Sequence, residues 1–124
     1  IQLLAGEQRF KMTPIYDVMS AYPAIGNGPN RWAEQDIKMA MALLGKNRHY
    51  TAHQIMRRHF NSTARKVGYA DSAEPLIQDF IARTPAIVDK VRAELPAGFS
   101  EKVADRILGG ILAAARALEG MPPV

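Results

Sequence analysis

The sequence predicts an α+β fold that is mainly α, in which a short β-hairpin and a further strand precede a bundle of three to four helices. Apolar and polar residues alternate over residues 9–13 and 37–44, as in half-buried strands. From residue 52 onward, apolar residues recur at helical spacing between capping signals. We therefore predict one folded unit, residues 1–124, with a β-containing segment over 1–50 and a helical subdomain over 51–124.

The first predicted element is a β-hairpin. Residues 1–4 and 9–13 are expected to pair around residues 5–8, where Gly6 supplies the backbone freedom that a short turn needs. Pro14 ends the pairing, because proline has no N–H to donate to a neighbouring strand.

The rest of the β-containing segment is predicted from the positions of its proline and glycine residues. Residues 18–22 are expected to form a short helical stretch that stops at Pro23, and residues 24–30 a glycine-rich loop. Residues 37–44 alternate like a strand, although their Met, Ala and Leu content favours a helix by propensity. We predict a strand, because residues 45–47 follow it like a turn.

The first long helix is predicted to start at Thr51, which forms the spacing of a capping box with Gln54. Gly68 is a suitable residue to end it. The polar pair Asn61-Ser62 leaves open a division into two helices. Its apolar stripe comprises Ala52, Ile55, Met56, His59, Phe60, Thr63, Ala64 and Val67.

Asp71 is predicted to cap the next helix, with Glu74 at the third helical position. Thr84-Pro85 is expected to restart or kink that helix, as an N-cap followed by proline.

Ser100 is predicted to cap the last helix, and Gly120 to end it. Gly109-Gly110 lies within this helix and costs about 1 kcal/mol per glycine relative to alanine. Close approach of another helix would explain that cost.

Composition excludes several classes of function. The chain has 124 residues with 48% hydrophobic and 23% charged content, as in a folded protein, and it has no cysteine. Disulfides, cysteine-based zinc sites and thiol catalysis are therefore excluded, and a reducing compartment such as the cytoplasm is favoured. No apolar run is long enough to span a bilayer, and the first residues do not resemble a signal peptide.

The basic residues concentrate in the middle of the chain. The net charge of the whole sequence is +4, but residues 31–66 alone hold eight basic residues against two acidic ones. Such an excess can contact phosphate, or it can be a solvated helix face. Arg57, Arg58, Arg65 and Lys66 lie off the apolar stripe of their helix and are the candidates for contact with an acidic partner or nucleic acid.

Asp17 is the main candidate ligand. It follows the predicted hairpin and has apolar neighbours, so we expect it at the edge of a core. A carboxylate at a strand end suits Mg²⁺, which takes oxygen ligands together with substrate phosphates. The competing interpretation is a helix cap or a turn residue.

The segment Met12-Thr13-Pro14-Ile15-Tyr16-Asp17-Val18-Met19-Ser20 resembles the pattern Leu-x-Pro-x-Tyr-Asp-x-x-Ser of the HipA family of bacterial toxin kinases. A second block extends the resemblance over nearly the whole chain. It comprises residues 36–42, Arg58-His59-Phe60, Thr63-Ala64, Pro85-Ala86, Leu95-Pro96 and Phe99. The fold implied is the C-terminal portion of a protein-kinase-like lobe.

The resemblance implies that Asp17 binds Mg²⁺ and, through it, the phosphates of ATP. No catalytic His-x-Asp-x-x-x-x-Asn loop is present, and the chain opens inside a predicted strand without an initiator Met. We therefore expect a piece of a longer protein, with the catalytic loop upstream, that has no kinase activity alone.

The resemblance also implies a physiological role. The full-length kinase would transfer the ATP γ-phosphate to a protein serine or threonine, with a translation-related target such as a glutamate–tRNA ligase, and so cause growth arrest and persistence. A HipB-like DNA-binding antitoxin would neutralise it, and the toxin–antitoxin complex would bind operator DNA, without membrane involvement. The alternative is a helical protein- or DNA-binding module without a catalytic role.

Three histidines raise the question of zinc. His49 and His53 are four residues apart, but Thr51 is predicted to start a helix between them, and no cysteine or nearby acid completes a ligand set. We reject zinc and expect His59 to be a hydrogen-bonded core residue.

Overall fold

The computed structural model describes residues 2–4, 9–11 and 13–123. The chain is α+β and mainly α, as the sequence predicts. Strands β1 (Gln2–Leu4) and β2 (Arg9–Lys11) pair antiparallel, with Leu3 opposite Phe10. This confirms the first hairpin, while its predicted turn at residues 5–8 lies outside the described residues.

A second antiparallel hairpin joins β3 (Lys38–Leu44) to β4 (Arg48–Thr51). The strand prediction for residues 37–44 is confirmed. An irregularity in the pairing between Lys38 and Leu43 interrupts the alternation of inward and outward side chains. Strand β4 was not predicted from the sequence, because most of its residues are polar.

The segment before β3 differs from its prediction. The segment has one 3-10 turn over Glu34–Asp36, but residues 18–21 contain no helix, and the predicted helical stretch is replaced by a 3-10 turn over Tyr22–Ala24. Pro23 lies within this turn instead of stopping a helix before it, because proline fits the first turn of a helix, where its missing N–H has no partner. The loop that follows is closed by an isolated bridge between Ile25 and Trp32.

Helix α1 spans Arg57–Lys66 and is continuous through Asn61. It starts later than predicted: Thr51 ends β4, and residues Ala52–Gln54 form a separate 3-10 turn without a side-chain cap. Gly68 follows the helix with a φ of 71°, which confirms it as the terminating residue.

Helices α2 (Glu74–Ala93) and α3 (Glu101–Gly120) form an antiparallel hairpin. Asp71 does not cap α2; the hydroxyl of Ser72 accepts the Glu74 N–H instead. The helix also continues through Pro85, so the predicted restart is wrong. The predicted cap of α3 is confirmed, because Ser100 Oγ accepts the Val103 N–H.

The core is small and lies where α1 meets the helical hairpin. Ala64, Ala73 and Ile77 are buried there, against partly buried Phe60, Ile81 and Leu118. Complete burial of a side chain such as Ile77 contributes about 1.5–3 kcal/mol. None of the helices in the described ranges is both long and apolar enough to span a membrane.

Candidate functional site

Asp17 lies on an irregular segment, residues 13–20, which we call the arm. The arm follows β2 and contains neither helix nor strand. Its apolar side chains lie in solvent; Ile15 is 90% exposed and Met19 84% exposed. The prediction that Asp17 sits at the edge of a core is therefore wrong, because its neighbours pack against no other described element.

The backbone of Asp17 is left-handed, with a φ of 58°. Residues other than glycine rarely adopt this conformation, although Asp and Asn do so more readily because their short side chains bond locally. Such conformations concentrate at ligand sites and switch regions. The carboxylate is thus presented to solvent from an uncommon backbone geometry, six residues beyond the end of β2.

Asp17 provides a single carboxylate for a metal site. Within the part of the chain that the structure describes, no three His, Asp or Glu side chains are grouped so that they could hold a metal ion. In phosphate-transfer sites, Mg²⁺ is bound by one or two carboxylates together with substrate phosphates. Asp17 suits that chemistry as one ligand, and further ligands would have to complete the site.

Three of the four predicted partner-contact residues, Arg58, Arg65 and Lys66, are exposed. Lys66 Nζ donates to the carbonyl oxygen of Gly45 at 2.5 Å, and the Arg65 guanidinium donates to that of Asp71 at 3.5 Å. These carbonyls do not neutralise the charges, and no ion pair among the described residues includes any of the three. We call these residues the basic face of α1.

Arg57 is not part of the basic face. It is only 4% exposed, and its guanidinium donates to the Glu74 carboxylate through Nε at 3.1 Å and through Nη2 at 2.5 Å. Nη1 donates to the carbonyl oxygen of Leu118. The prediction that Arg57 contacts an acidic partner is wrong, because its donors are used inside the protein.

Asn61 completes this network, and we call Arg57, Asn61 and Glu74 the clamp. The Asn61 amide donates to Glu74 Oε1 at 2.7 Å and to the Pro123 carbonyl oxygen at 2.6 Å, while its own oxygen accepts the Ala73 N–H. The clamp therefore joins α1 to the start of α2 and the end of α3.

The clamp also determines the charge state of Glu74. Hydrogen bonds from Arg57 and Asn61 hold the pKa of Glu74 below its ordinary value, and burial opposes them. The bond between Asn61 and Glu74 was not predicted from the sequence. The pattern that could have indicated it is an arginine and an asparagine four residues apart on α1, followed by a glutamate at the start of the next helix.

The histidines form a stack, not a metal site. The rings of His49 and His59 lie 3.7 Å apart between centroids and 12° from parallel. His59 is 5% exposed, and its Nδ1 accepts the Met56 N–H at 3.1 Å. This confirms the expectation of a hydrogen-bonded core histidine. His53 is exposed on the 3-10 turn between them.

A groove between α2 and α3 is lined mainly by apolar side chains. Its lining includes Phe80, Ile87, Val91, Ile107 and Ile111. Phe80 is 64% exposed and Ile87 48% exposed, so much of the apolar surface of α2 lies in solvent. Exposed apolar surfaces of this kind are typical of interaction sites.

No protein-family model matches the sequence. The HipA resemblance therefore rests on the residues of this chain alone and stays a prediction.

Proposed function

We propose that this chain is the C-terminal part of a HipA-like toxin kinase, which in its full length transfers the γ-phosphate of ATP to a protein serine or threonine. One observation carries the proposal. Asp17 lies six residues beyond Lys11, the end of the β1–β2 hairpin, and presents its carboxylate from a left-handed backbone on the exposed arm. That is the position of the Mg²⁺-binding Asp in the pattern that this segment resembles.

In the proposed kinase, Asp17 holds Mg²⁺ against the phosphates of ATP, where the metal ion neutralises charge that develops during phosphoryl transfer. The catalytic base and the second metal ligand belong to a catalytic loop outside this chain. The 124-residue chain alone is accordingly expected to show no kinase activity.

The proposal includes partners and a compartment. A HipB-like DNA-binding antitoxin would neutralise the kinase and bring it to operator DNA. The substrate would be a translation-related protein such as a glutamate–tRNA ligase, in the cytoplasm. The absence of cysteine from the sequence supports a reducing compartment.

Phosphoryl transfer from labelled ATP by the full-length parent protein tests the role of Asp17. We expect Asp17→Asn to reduce incorporation of label at least about 100-fold, or roughly 2.7 kcal/mol, because a metal-binding charge is lost. Asp89→Asn is the matched control, since Asp89 is an exposed carboxylate on α2. It should label as the wild type does.

Equal labelling by wild type and Asp17→Asn would show that Asp17 is structural, although the kinase assignment would stand. If neither protein labels itself nor any protein substrate, the proposed kinase activity is wrong. A binding role without catalysis, the second candidate function, would then be favoured.

That candidate is a helical module that binds an acidic protein or DNA. The observation in its favour is that the sequence contains no Asp or Glu from residue 37 to residue 70, a range that includes the basic face. Exposed cations bind phosphate by releasing counterions, which makes affinity salt-dependent.

Reversing the charges of Arg65 and Lys66 to Glu tests this basic face, with binding of the 124-residue chain to duplex DNA measured over a series of salt concentrations. If both contact phosphate, the slope of log affinity against log salt should become shallower by about 1.8. The control reverses Lys102 and Arg116, two exposed cations on α3. An unchanged slope for the Arg65 and Lys66 variant would remove the basic face from DNA binding.

A further inference from the structure

The turn end of the β3–β4 hairpin is held on α1 by a small set of polar contacts. The Leu44 N–H donates to Thr63 Oγ1 at 2.7 Å, and that hydroxyl donates to the His59 carbonyl oxygen at 2.7 Å. Lys66 adds its bond to Gly45. The stacked rings of His49 and His59 lie beside these contacts and link β4 directly to α1.

Gly45 shows how closely the stack fits the hairpin. A Cβ added to Gly45 would lie 2.7 Å from His49 Nε2 and 3.4 Å from His59 Cδ2. The turn backbone therefore lies directly against the ring edges. Any change in the position of the two rings must also move the turn.

The hydrogen bond at His59 requires a neutral ring. Because Nδ1 accepts the Met56 N–H, its lone pair faces that donor and the ring proton is on Nε2. Protonation at Nδ1 would place two donors face to face and remove the bond at the start of α1. A proton on the His59 ring would also give a charge that burial and the neighbouring cations disfavour.

The charged groups around the stack are cationic. Arg58 on α1 faces His59, Arg48 adjoins His49 on β4, Lys46 lies in the turn, and Lys66 bonds to Gly45. The carboxylate that α2 directs at α1 belongs to Glu74, which is bonded to Arg57 and Asn61. Residues 37–70 contain no Asp or Glu that could compensate a protonated histidine.

We propose that the stacked pair His49–His59 is a proton-operated latch, which holds the turn end of the β3–β4 hairpin on α1 while the His59 ring is neutral and releases it when that ring is protonated. Burial first, and then the charges of His49 and Arg58, lower the pKa of His59 below 6.5. The closed form thus binds fewer protons than the open form. The latch is fully stable above pH 6.5 and weakens as pH falls through the lowered value.

The test is amide hydrogen exchange of the 124-residue chain, measured by NMR and corrected for intrinsic rates. Between pH 7.5 and 5.5, the protection factor of the Leu44 amide should fall by up to about tenfold, because pH 5.5 lies one unit below the ordinary histidine pKa of 6.5 and one pKa unit corresponds to a tenfold change. His59→Asn offers Oδ1 in place of Nδ1 as the acceptor of the Met56 N–H and cannot be protonated there, so its protection should not fall with pH. His53→Phe changes the exposed histidine and should behave as the wild type.

A protection factor that is constant over this pH range in the wild type would overturn the latch, as would the same decrease in His59→Asn. If His59→Asn does not fold, the ring signals of His59 in the wild type decide. A titration midpoint of His59 at or above pH 6.5 would refute the latch, and a midpoint below 6.5 supports it.

Discussion

Gly110 shows how a single methyl group can matter in this protein. A Cβ at this position would lie 2.5 Å from atoms of the Tyr22 ring, which packs on α3 from the 3-10 turn of the β-containing segment. At Gly109, the neighbouring position, a Cβ would meet nothing within 4 Å. The two glycines therefore have different roles although they are adjacent.

We expect Gly110→Ala to destabilise the chain by about 1–3 kcal/mol, because the Tyr22 ring must move to accommodate the methyl group. Gly109→Ala should instead stabilise it by up to about 1 kcal/mol through helix propensity. Urea unfolding of both variants measures the difference. If Gly110→Ala proves as stable as Gly109→Ala, the contact with Tyr22 is wrong.

Close approach of another helix was an explanation for the cost of these glycines, and the sequence did not show such a contact. Helical spacing places Gly109 and Gly110 within α3, and their cost indicates that something packs there. The contact comes from an aromatic ring far upstream, not from another helix. Sequence patterns report local periodicity, whereas this contact depends on how the 3-10 turn folds back.

At the scale of elements, α2 is continuous through a residue that normally ends helices. Pro85 removes one intrahelical hydrogen bond, and the preceding Thr84 bonds its hydroxyl to the Phe80 carbonyl oxygen at 2.6 Å. Packing of Ile77 and Val88, on either side of this point, holds both halves of α2 in one helix.

We expect Pro85→Ala to stabilise the chain by about 1–3 kcal/mol, because the exposed site gains a hydrogen bond and loses the ring clash. The midpoint of urea unfolding should rise with an unchanged slope. Ala86→Pro, one residue along the same helix, should lower the midpoint. A lower midpoint for Pro85→Ala would mean that Pro85 fits its position without strain.

Sequence motifs predicted the capping residue of α3 correctly and that of α2 incorrectly, although both serines are close in sequence to the N–H they bond. Ser100 bonds the Val103 N–H as its motif predicts. At α2, a serine between Asp71 and Glu74 bonds the helix instead, since Ser72 Oγ is within reach of the first helical N–H. Strand β4 was missed because its burial alternates while its residues are mostly polar, and only pairing with β3 defines it.

For the molecule as a whole, the clamp links folding stability to pH. The pKa of Glu74 is lowered by its bonds to Arg57 and Asn61, so the folded state binds fewer protons than the unfolded state. This contribution is present above pH 4.5 and is lost as pH falls through the lowered pKa. It lies below the pH range in which the histidine latch acts.

We expect Glu74→Gln to remove this dependence, because glutamine cannot ionise and leaves the buried Arg57 charge without a partner. The free energy of unfolding at pH 7 should fall by about 3 kcal/mol. Stability measured from pH 3 to 5 should be flatter than in the wild type. Glu119→Gln, at an exposed site on α3, should leave the slope unchanged. An equally steep slope in Glu74→Gln would show that another carboxylate is responsible.

The clamp shows why the surroundings of Arg57 could not be predicted from the sequence. Arg57 and Arg58 are adjacent and chemically alike, and the apolar stripe assigns both to the solvent side. Arg57 is buried because Glu74 and the Leu118 carbonyl meet it from other elements, 17 and 61 residues away. The exposed Arg58, Arg65 and Lys66 were placed correctly, because their surroundings follow from α1 alone.

The sequence distance spanned by the clamp has a consequence for folding kinetics. The α2–α3 hairpin closes over a short connection, whereas the bond from Arg57 to Leu118 closes a loop of 61 residues, which costs more chain entropy. We therefore expect the helical hairpin to form early and the clamp to form after the rate-limiting step. Loss of the clamp would then accelerate unfolding with little effect on the folding rate, so these three side chains would govern the lifetime of the native state.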